Sequence, residues 1–192
     1  QGIHFAMDYL TQQNRRCAGD PVRDERCITA QGRQVVIIGG GDTGADCLGT
    51  AHRQGAAKVT QLEIMPRPPE MRSSDNPWPQ WPAIYRVSSA HKEGGERLYA
   101  VSTRRFLGDA QGRAQAVELV KVEVVPSGGR MVFNEIPGSR FTLPADLVLL
   151  AMGFAGAEKP GLLEQLGGRL TDRGNVWRDE RWMTSVDGVF TA

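Results

Sequence analysis

Three glycines at fixed spacing, Gly39, Gly41 and Gly44, form a G-x-G-x-x-G pattern. Alone the pattern is weak evidence, because the chain contains 23 glycines among its 192 residues. Between a strand and a helix, the first glycine permits a tight turn, the second lets a diphosphate approach the backbone, and the third lets helix and strand pack closely. Backbone N–H groups at the start of the helix then face the phosphates. The pattern predicts a dinucleotide site.

Two further residues of this turn, Asp42 and Thr43, are candidates for the same site. The Thr43 hydroxyl can donate to a phosphate oxygen or cap the helix. A carboxylate beside a diphosphate is repulsive, so we expect the Asp42 side chain to act as the helix N-cap, turned onto its own backbone.

The identity of the dinucleotide depends on charged residues beyond the next predicted strand. Glu63 ends that strand, where a carboxylate accepts hydrogen bonds from ribose hydroxyls and favours NAD or FAD. Arg67 and Arg72 follow it and favour NADP, since a guanidinium pairs with a 2′-phosphate. Solvated loop charges are the alternative interpretation of both arginines.

Other reactive groups do not form a site in the sequence. His4, His52 and His91 lie far apart and lack metal-ligand spacing, and the three cysteines form no C-x-x-C pair. We therefore predict no catalytic side chain and no metal site. This suits hydride transfer, in which the cofactor carries the chemistry and the protein aligns it.

The elements around the glycines provide the context that the pattern requires. A β-branched run from Gln34 to Ile38 predicts a buried parallel strand, residues 42–54 predict a helix, and residues 58–64 predict a second strand. Together they have the size of one βαβ unit. The chain is thus predicted to be an α/β protein with a Rossmann-like, three-layer nucleotide-binding domain.

The remaining segments predict an antiparallel excursion from that parallel sheet. Residues 66–82 hold six of the eleven prolines of the chain and predict an ordered loop. Apolar periodicity predicts a helix over 1–14 and a short helical turn over 162–166. Strands are predicted at 97–107, 114–125, 130–133, 140–143, 146–153 and from Val189 onward. We expect a helix and connector over 1–32 and a nucleotide-binding domain over 33–192, with the loop and antiparallel strands at 66–145.

Composition excludes some classes of partner. The formal net charge is +1, so the chain lacks the excess of cations that nucleic-acid binding needs. No apolar run approaches the length of a membrane span. The odd number of cysteines and the lack of a secretory signal favour a reducing compartment, and we expect a cytoplasmic protein.

Several segments resemble the small (beta) subunit of glutamate synthase: residues 2–10, 12–16, 36–47, 65–70, 76–82, 144–154, 173–176 and 183–190. In that family the nicotinamide-nucleotide domain is inserted in a split FAD domain, and an N-terminal region carries cysteines for iron–sulfur clusters. This chain has one glycine fingerprint and no such cysteine cluster. The resemblance implies the excised nicotinamide-nucleotide domain, inactive alone, whose 1–32 segment connects to the missing FAD domain.

The resemblance also implies roles for individual residues. Gly39, Gly41, Thr43 and Gly44 would bind the pyrophosphate, and Glu63 and Arg67 would surround the adenosine ribose. Met152 and Gly153 would lie near the nicotinamide. Bacterial members generally use NADPH, which places NADPH first and NADH second here. Hydride would pass to FAD and electrons through clusters to the large subunit, which makes glutamate; this fragment ligates neither FAD nor clusters.

Two other functions stay open at this point. A related flavoprotein passes electrons to a different acceptor, of the pyrimidine reductase or ferredoxin type. A glycine-turn module outside redox chemistry binds another adenosine ligand, such as S-adenosylmethionine, or serves only for docking.

Overall fold

The central strand of the fold is buried on both faces, and its successive residues pack into two different core clusters. Val35 and Ile37 pack into one core cluster and Val36 into another, so the central strand is covered on both sides. The computed structural model describes residues 1–22, 27–128, 130–154 and 156–191. It forms two units, Gln1–Met152 and Gly153–Ala192.

The first unit contains a five-stranded parallel sheet. Its strands are β1 (Ile3–Phe5), β2 (Gln34–Ile38), β3 (Lys58–Leu62), β4 (Glu96–Leu98) and β9 (Leu147–Leu150). The order is β1-β9-β2-β3-β4, and every neighbouring pair is parallel. In register, Val36 of β2 lies between Thr60 of β3 and Val148 of β9. The predicted βαβ unit is confirmed.

Helices α1 (Ala6–Cys17), α2 (Asp42–Arg53) and α3 (Ser89–Lys92) belong to the same unit. Tyr9 of α1 and Leu48 of α2 are fully buried in one cluster with Val35 and Ile37. The predicted helix over 1–14 is partly wrong, because Ile3–Phe5 pairs with β9 as an edge strand before the helix begins. Strand pairing across the fold overrides the helical periodicity of these residues.

An antiparallel sheet covers the second core cluster. Its strands are β5 (Val101–Gly108), β6 (Ala114–Ser127), β7 (Arg130–Glu135) and β8 (Phe141–Pro144), with β6 paired to each of the others. Val117 and Leu119 of β6 pack there with Val36 and Val148. Helices, parallel sheet and antiparallel sheet make three layers, which confirms the predicted fold class.

The predicted single strand over 97–107 is two strands in the structure. Arg97 and Leu98 pair with β3 in the parallel sheet, and Val101 starts the antiparallel sheet. The chain changes sheets at Ala100, whose φ of +52° lies in the left-handed region. Its N–H donates to the Met65 carbonyl and its carbonyl accepts from Val122 N–H, at 3.0 and 2.8 Å.

The segment 66–82 contains neither helix nor strand, as its prolines predict. Arg72 holds it in place by donating to the backbone carbonyls of Asn76 and Gln80, at 2.7 and 2.9 Å. Tyr85, just beyond, donates its N–H to Pro69. The loop is therefore built around the contacts of a partly buried guanidinium group.

The second unit contains α4 (Leu162–Leu166), which ends at Gly167 with a left-handed φ of +63°. Isolated bridges join Leu170 to Val176 and Met183 to Phe190. The strand predicted from Val189 onward is reduced to that last bridge.

The division of the first unit from the second falls after Met152, whereas the sequence suggested a boundary after residue 32. Strand β1 joins the sheet of the unit, and Tyr9 and Ala30 lie in its core. The expected role of 1–32 as a connection to an FAD domain stays a prediction. None of the helices described is long and apolar enough to span a membrane.

Candidate functional site

The three glycines of the pattern meet different surroundings. Gly39 has a φ of +129°, and a Cβ built there would lie 2.1 Å from the Ala151 carbonyl oxygen. A Cβ on Gly44 would lie 2.2 Å from the Gly39 carbonyl oxygen, whereas one on Gly41 would meet nothing within 4 Å. Gly39 and Gly44 thus allow a turn packed against its neighbours, and Gly41 faces open space through which a ligand can reach the backbone.

The amino end of α2 leaves its N–H groups open. Its N-cap is Gly41, no side chain caps it, and the first helical bond runs from Ala45 N–H to the Gly41 carbonyl at 3.0 Å. The expectation that Asp42 is the N-cap is therefore wrong. Asp42 is the first helical residue, where a carboxylate is favoured by the positive end of the helix dipole. The N–H groups ahead of Ala45 are available to a ligand.

A buried glutamine supports the turn from inside. Gln61 of β3 is 1% exposed, and its Nε2 donates to the Gly39 carbonyl at 2.9 Å. Its Oε1 lies 2.8 Å from Nε2 of His91, on α3. Gln61 was not predicted, because Lys58, Thr60 and Gln61 make β3 polar at three of its five positions and nothing in that pattern indicates that Gln61 is buried.

The hydrogen bonds of His91 define its tautomer. Nδ1 accepts from the Ser88 backbone N–H at 3.3 Å and lies 2.9 Å from the Ser88 hydroxyl. Burial, together with the Arg97 guanidinium, lowers the pKa of His91 below its usual value. The neutral ring then carries its proton on Nε2 and donates it to Gln61 Oε1.

An open cleft of about 570 Å³ lies in front of the turn. It is lined by Gly40, Gly41, Asp42, Glu63, Arg86, Ser88, His91, Arg97 and Tyr99, among other residues. Of the residues that the sequence predicted, Gly41, Asp42 and Glu63 therefore come together in one cleft. Its size falls within the range of cofactor sites.

Glu63 lies directly against the turn. A Cβ on Gly40 would be 2.1 Å from Glu63 Oε2, so this glycine, outside the predicted pattern, gives the carboxylate its space. Glu63 Oε1 accepts from Met65 N–H at 2.8 Å, and the Glu63 N–H donates to Leu98 at 2.8 Å. The carboxylate is held at the cleft with Oε2 available as an acceptor for a hydroxyl group.

Tyr85, Arg97 and Tyr99 form another part of the cleft, and Arg67, which is not part of its lining, stacks on Tyr85. The guanidinium carbons of Arg67 and Arg97 lie 4.1 and 4.5 Å from the Tyr85 ring centroid. Arg97 also donates to the Arg86 carbonyl and to the Tyr85 hydroxyl. The Tyr99 ring meets Tyr85 edge-on at 6.4 Å. The cleft thus combines a carboxylate beside the turn with cations around Tyr85.

The structure places the other predicted residues as follows. Arg67 stacks on Tyr85 and pairs with Glu70. Arg72 donates to backbone carbonyls of its own segment, 66–82. Thr43 lies in the first turn of α2. Met152, 67% exposed, follows Ala151, whose carbonyl contacts Gly39.

Gly153, with φ +84°, is the first residue of the second unit. No group of three or more potential metal ligands occurs in the described ranges. That the predicted residues bind a nucleotide stays a prediction. The structure adds Tyr85, His91 and Arg97 to the cleft and Gln61 behind the turn.

Comparison with known proteins relates this geometry to a family. Residues 7–192 match the family described as pyridine nucleotide-disulphide oxidoreductase. The glutamate synthase [NADPH] small chain of Mycobacterium tuberculosis is 54% identical over 100% of this chain and 39% of its own length. That of Bacillus subtilis is 36% identical over 100% and 40%. The glutamate synthase [NADH] of Schizosaccharomyces pombe is 39% identical over 100% and 9%.

The chain thus spans about two fifths of the length of the small chains that it matches. Solved structures share its fold. FprA from M. tuberculosis, in complex with NADPH, has a TM-score of 0.58 at 16% identity, covering 97% of this chain and 50% of FprA. T. acidophilum thioredoxin reductase has a TM-score of 0.54 at 21% identity, covering 83% and 43%. The resemblance drawn from sequence segments is confirmed.

Proposed function

This chain belongs to the pyridine nucleotide-disulphide oxidoreductase family, and we propose that it is the NADPH-binding domain of a glutamate synthase small subunit, with NADH as the second choice of nucleotide. In the whole protein it would present the reduced nucleotide to FAD for reductive glutamate synthesis. One observation carries this proposal: the open N–H groups of α2 and the exposed backbone at Gly41 face a cleft that also contains Glu63.

The proposed fit follows the charges of the cleft. The diphosphate would accept hydrogen bonds from the backbone N–H groups after Gly39, with Thr43 near it and Gly44 giving the turn its shape. Glu63 Oε2 would accept from a hydroxyl of the adenosine ribose. Arg67, stacked on Tyr85, would pair with a 2′-phosphate, and Arg97 would add a second cation there.

The other end of the nucleotide would extend toward Met152 and Gly153, the positions that the family resemblance assigns to the nicotinamide. When bound, the dihydronicotinamide supplies the hydride, and the residues of this chain bind and orient it. FAD and the iron–sulfur clusters would be held by other parts of the protein. The partners would be the FAD domain, joined through residues 1–32, and the large subunit, in the cytoplasm.

Isothermal titration of the intact protein with NADPH and NADH tests this proposal. We expect NADPH to bind more tightly, and Arg67→Ala to weaken NADPH binding by about tenfold or more while changing NADH binding little, because one charge-assisted contact is lost. Arg105→Ala is the matched control, since Arg105 pairs with Glu118 on the antiparallel sheet.

The result also separates this function from the other two. Equal affinities for both nucleotides, unaffected by Arg67→Ala, would refute the 2′-phosphate role but keep the redox domain. Thermal stabilisation by S-adenosylmethionine and by neither pyridine nucleotide would overturn the proposal. Tight NADPH binding without glutamate formation by the whole protein would assign it to a flavoprotein with another electron acceptor.

A further inference from the structure

The Gln61 amide lies at the centre of a chain of hydrogen bonds behind the glycine turn. Its Oε1 accepts a hydrogen bond from His91 Nε2 and its Nε2 donates one to the Gly39 carbonyl, at 2.8 and 2.9 Å. Gln61 is 1% exposed, and both the oxygen and the nitrogen of its amide have partners. These hydrogen bonds offset the free-energy cost of burying a polar group. An apolar residue would fill the same place in a buried strand without needing those partners.

The bond to Gly39 fixes the orientation of one peptide group. In a trans peptide the carbonyl of one residue and the N–H of the next point in opposite directions. The Gly39 carbonyl is turned inward to Gln61, so the Gly40 N–H is turned away from it. Gly40 lines the cleft, which is where this N–H is needed for an anion.

Gly44 explains why the bond can form. A Cβ on Gly44 would lie 2.2 Å from the Gly39 oxygen and 2.5 Å from Gln61 Nε2, the two atoms that the bond joins. The third glycine of the pattern therefore leaves the space in which donor and acceptor meet. In this chain Gly44 and Gln61 act together on the same carbonyl.

We propose that Gln61, oriented by His91, is a positioning residue that holds the Gly39–Gly40 peptide in the conformation that binds a diphosphate. The inference rests on the proposed function and adds to it a residue outside the glycine pattern. Since His91 donates to Oε1, only the amide nitrogen of Gln61 can face Gly39. Ser88, through its bonds to His91 Nδ1, fixes the ring that selects this orientation.

Two substitutions of Gln61 test the inference in the intact protein, with NADH as the probe because it lacks a 2′-phosphate that titrates. Gln61→Met keeps the length of the side chain and removes the donor. We expect its dissociation constant for NADH, measured by isothermal titration, to rise about tenfold, the loss of one positioning hydrogen bond. An unchanged constant in a folded Gln61→Met protein overturns the inference and leaves the proposed function standing.

Gln61→Glu adds a readout that a merely space-filling role would not move. An ionised carboxylate has no proton for the Gly39 carbonyl and repels it, whereas a protonated carboxyl group donates to it. We expect the affinity of Gln61→Glu, relative to wild type at the same pH, to recover as pH falls, and that of Gln61→Met not to recover. This pH dependence carries the test if Gln61→Met does not fold, and a constant ratio to wild type refutes the inference.

Gln54→Met is the matched control. Gln54 is also a glutamine with a fully bonded side chain, but it follows the carboxyl end of α2 and bonds to Tyr9, Gln13 and Ala30. We expect it to lower stability without changing the NADH constant. If it weakens binding as much as Gln61→Met, general loosening of the fold explains both, and the inference fails. Failure of the wild type to bind NADH or NADPH would instead refute the proposed function.

Discussion

The two ends of α2 differ in what their hydrogen-bonding groups contact. At the carboxyl end, Gln54 N–H and Gly55 N–H donate to helix carbonyls, and the Gln54 side chain joins Tyr9 to the segment before β2. At the amino end, the Gln61 side chain joins the Gly39 carbonyl to His91, and the first N–H groups of the helix stay open. The hydrogen-bonding groups of the carboxyl end are paired within the chain and stabilise the fold. At the amino end Gln61 bonds to the turn, and the N–H groups of the first helical turn are left for a ligand.

This contrast predicts that changes at the amino end alter ligand affinity and changes at the carboxyl end alter stability. Replacing a glycine at each end by alanine tests this, and Gly44→Ala at the amino end has the largest expected effect on affinity. Gly44→Ala places a Cβ within 2.5 Å of the Gly39 oxygen and Gln61 Nε2, so the turn must shift. We expect nucleotide affinity, measured by isothermal titration, to fall about 100-fold, the cost of misplacing the groups that hold the ligand.

Gly55→Ala is the counterpart at the other end. A Cβ there meets no atom within 4 Å, and the φ of +81° alone is unfavourable for alanine. We expect it to lower the free energy of unfolding by about 1 kcal/mol and to keep the affinity. Loss of affinity in both variants would show that the two ends are not independent.

Tyr9→Phe tests the carboxyl end with a smaller change. The buried hydroxyl donates to Gln54 Oε1 at 3.0 Å, and phenylalanine keeps the packing of the ring in the core. We expect the free energy of unfolding, from a urea titration, to fall by about 1 kcal/mol or less, since Gln54 Oε1 still accepts from Ala30. Nucleotide affinity should be unchanged, and a parallel loss of affinity would contradict the division between the ends.

Arg53→Ala has the smallest expected effect. Arg53, in the last turn of α2, pairs with Glu93 next to α3, and the two side chains are 60% and 35% exposed. An exposed pair of this kind contributes less than about 0.5 kcal/mol to stability. A slightly lower melting temperature with unchanged nucleotide affinity would support the comparison. Because α3 carries His91, weaker nucleotide binding by Arg53→Ala would instead connect the carboxyl end of α2 to Gln61 and contradict it.

Local patterns predicted the central part of the fold because those elements are locally consistent. Strands β2 and β3 and helix α2 each have a clear apolar period, and the glycines between them mark the turn. Strand β1 was missed, since residues 1–14 have a helical period and only the partner β9 makes three of them a strand. The change of sheet at Ala100 was missed for the same reason, because it depends on contacts with Met65 and Val122.

The site divides in the same way. Gly39, Gly41 and Gly44 could be predicted because the spacing itself defines a backbone conformation, and Glu63 because it ends the next strand. Gln61 and His91 could not be paired from the sequence, since they meet only after α3 packs on α2. Arg72 shows what charge alone leaves open: its charge suggested a phosphate or a loop contact, and in the structure it donates to Asn76 and Gln80 of its own loop.

By itself the sequence determined the α/β class, the βαβ unit and the glycine turn, because apolar period and glycine spacing act on neighbouring residues through the local backbone. Tertiary structure alone decided which side chains support that turn and which line the cleft. Those contacts join residues of separate elements, such as Gln61 with Gly39 and Arg67 with Tyr85, and their distances are set by how the layers pack.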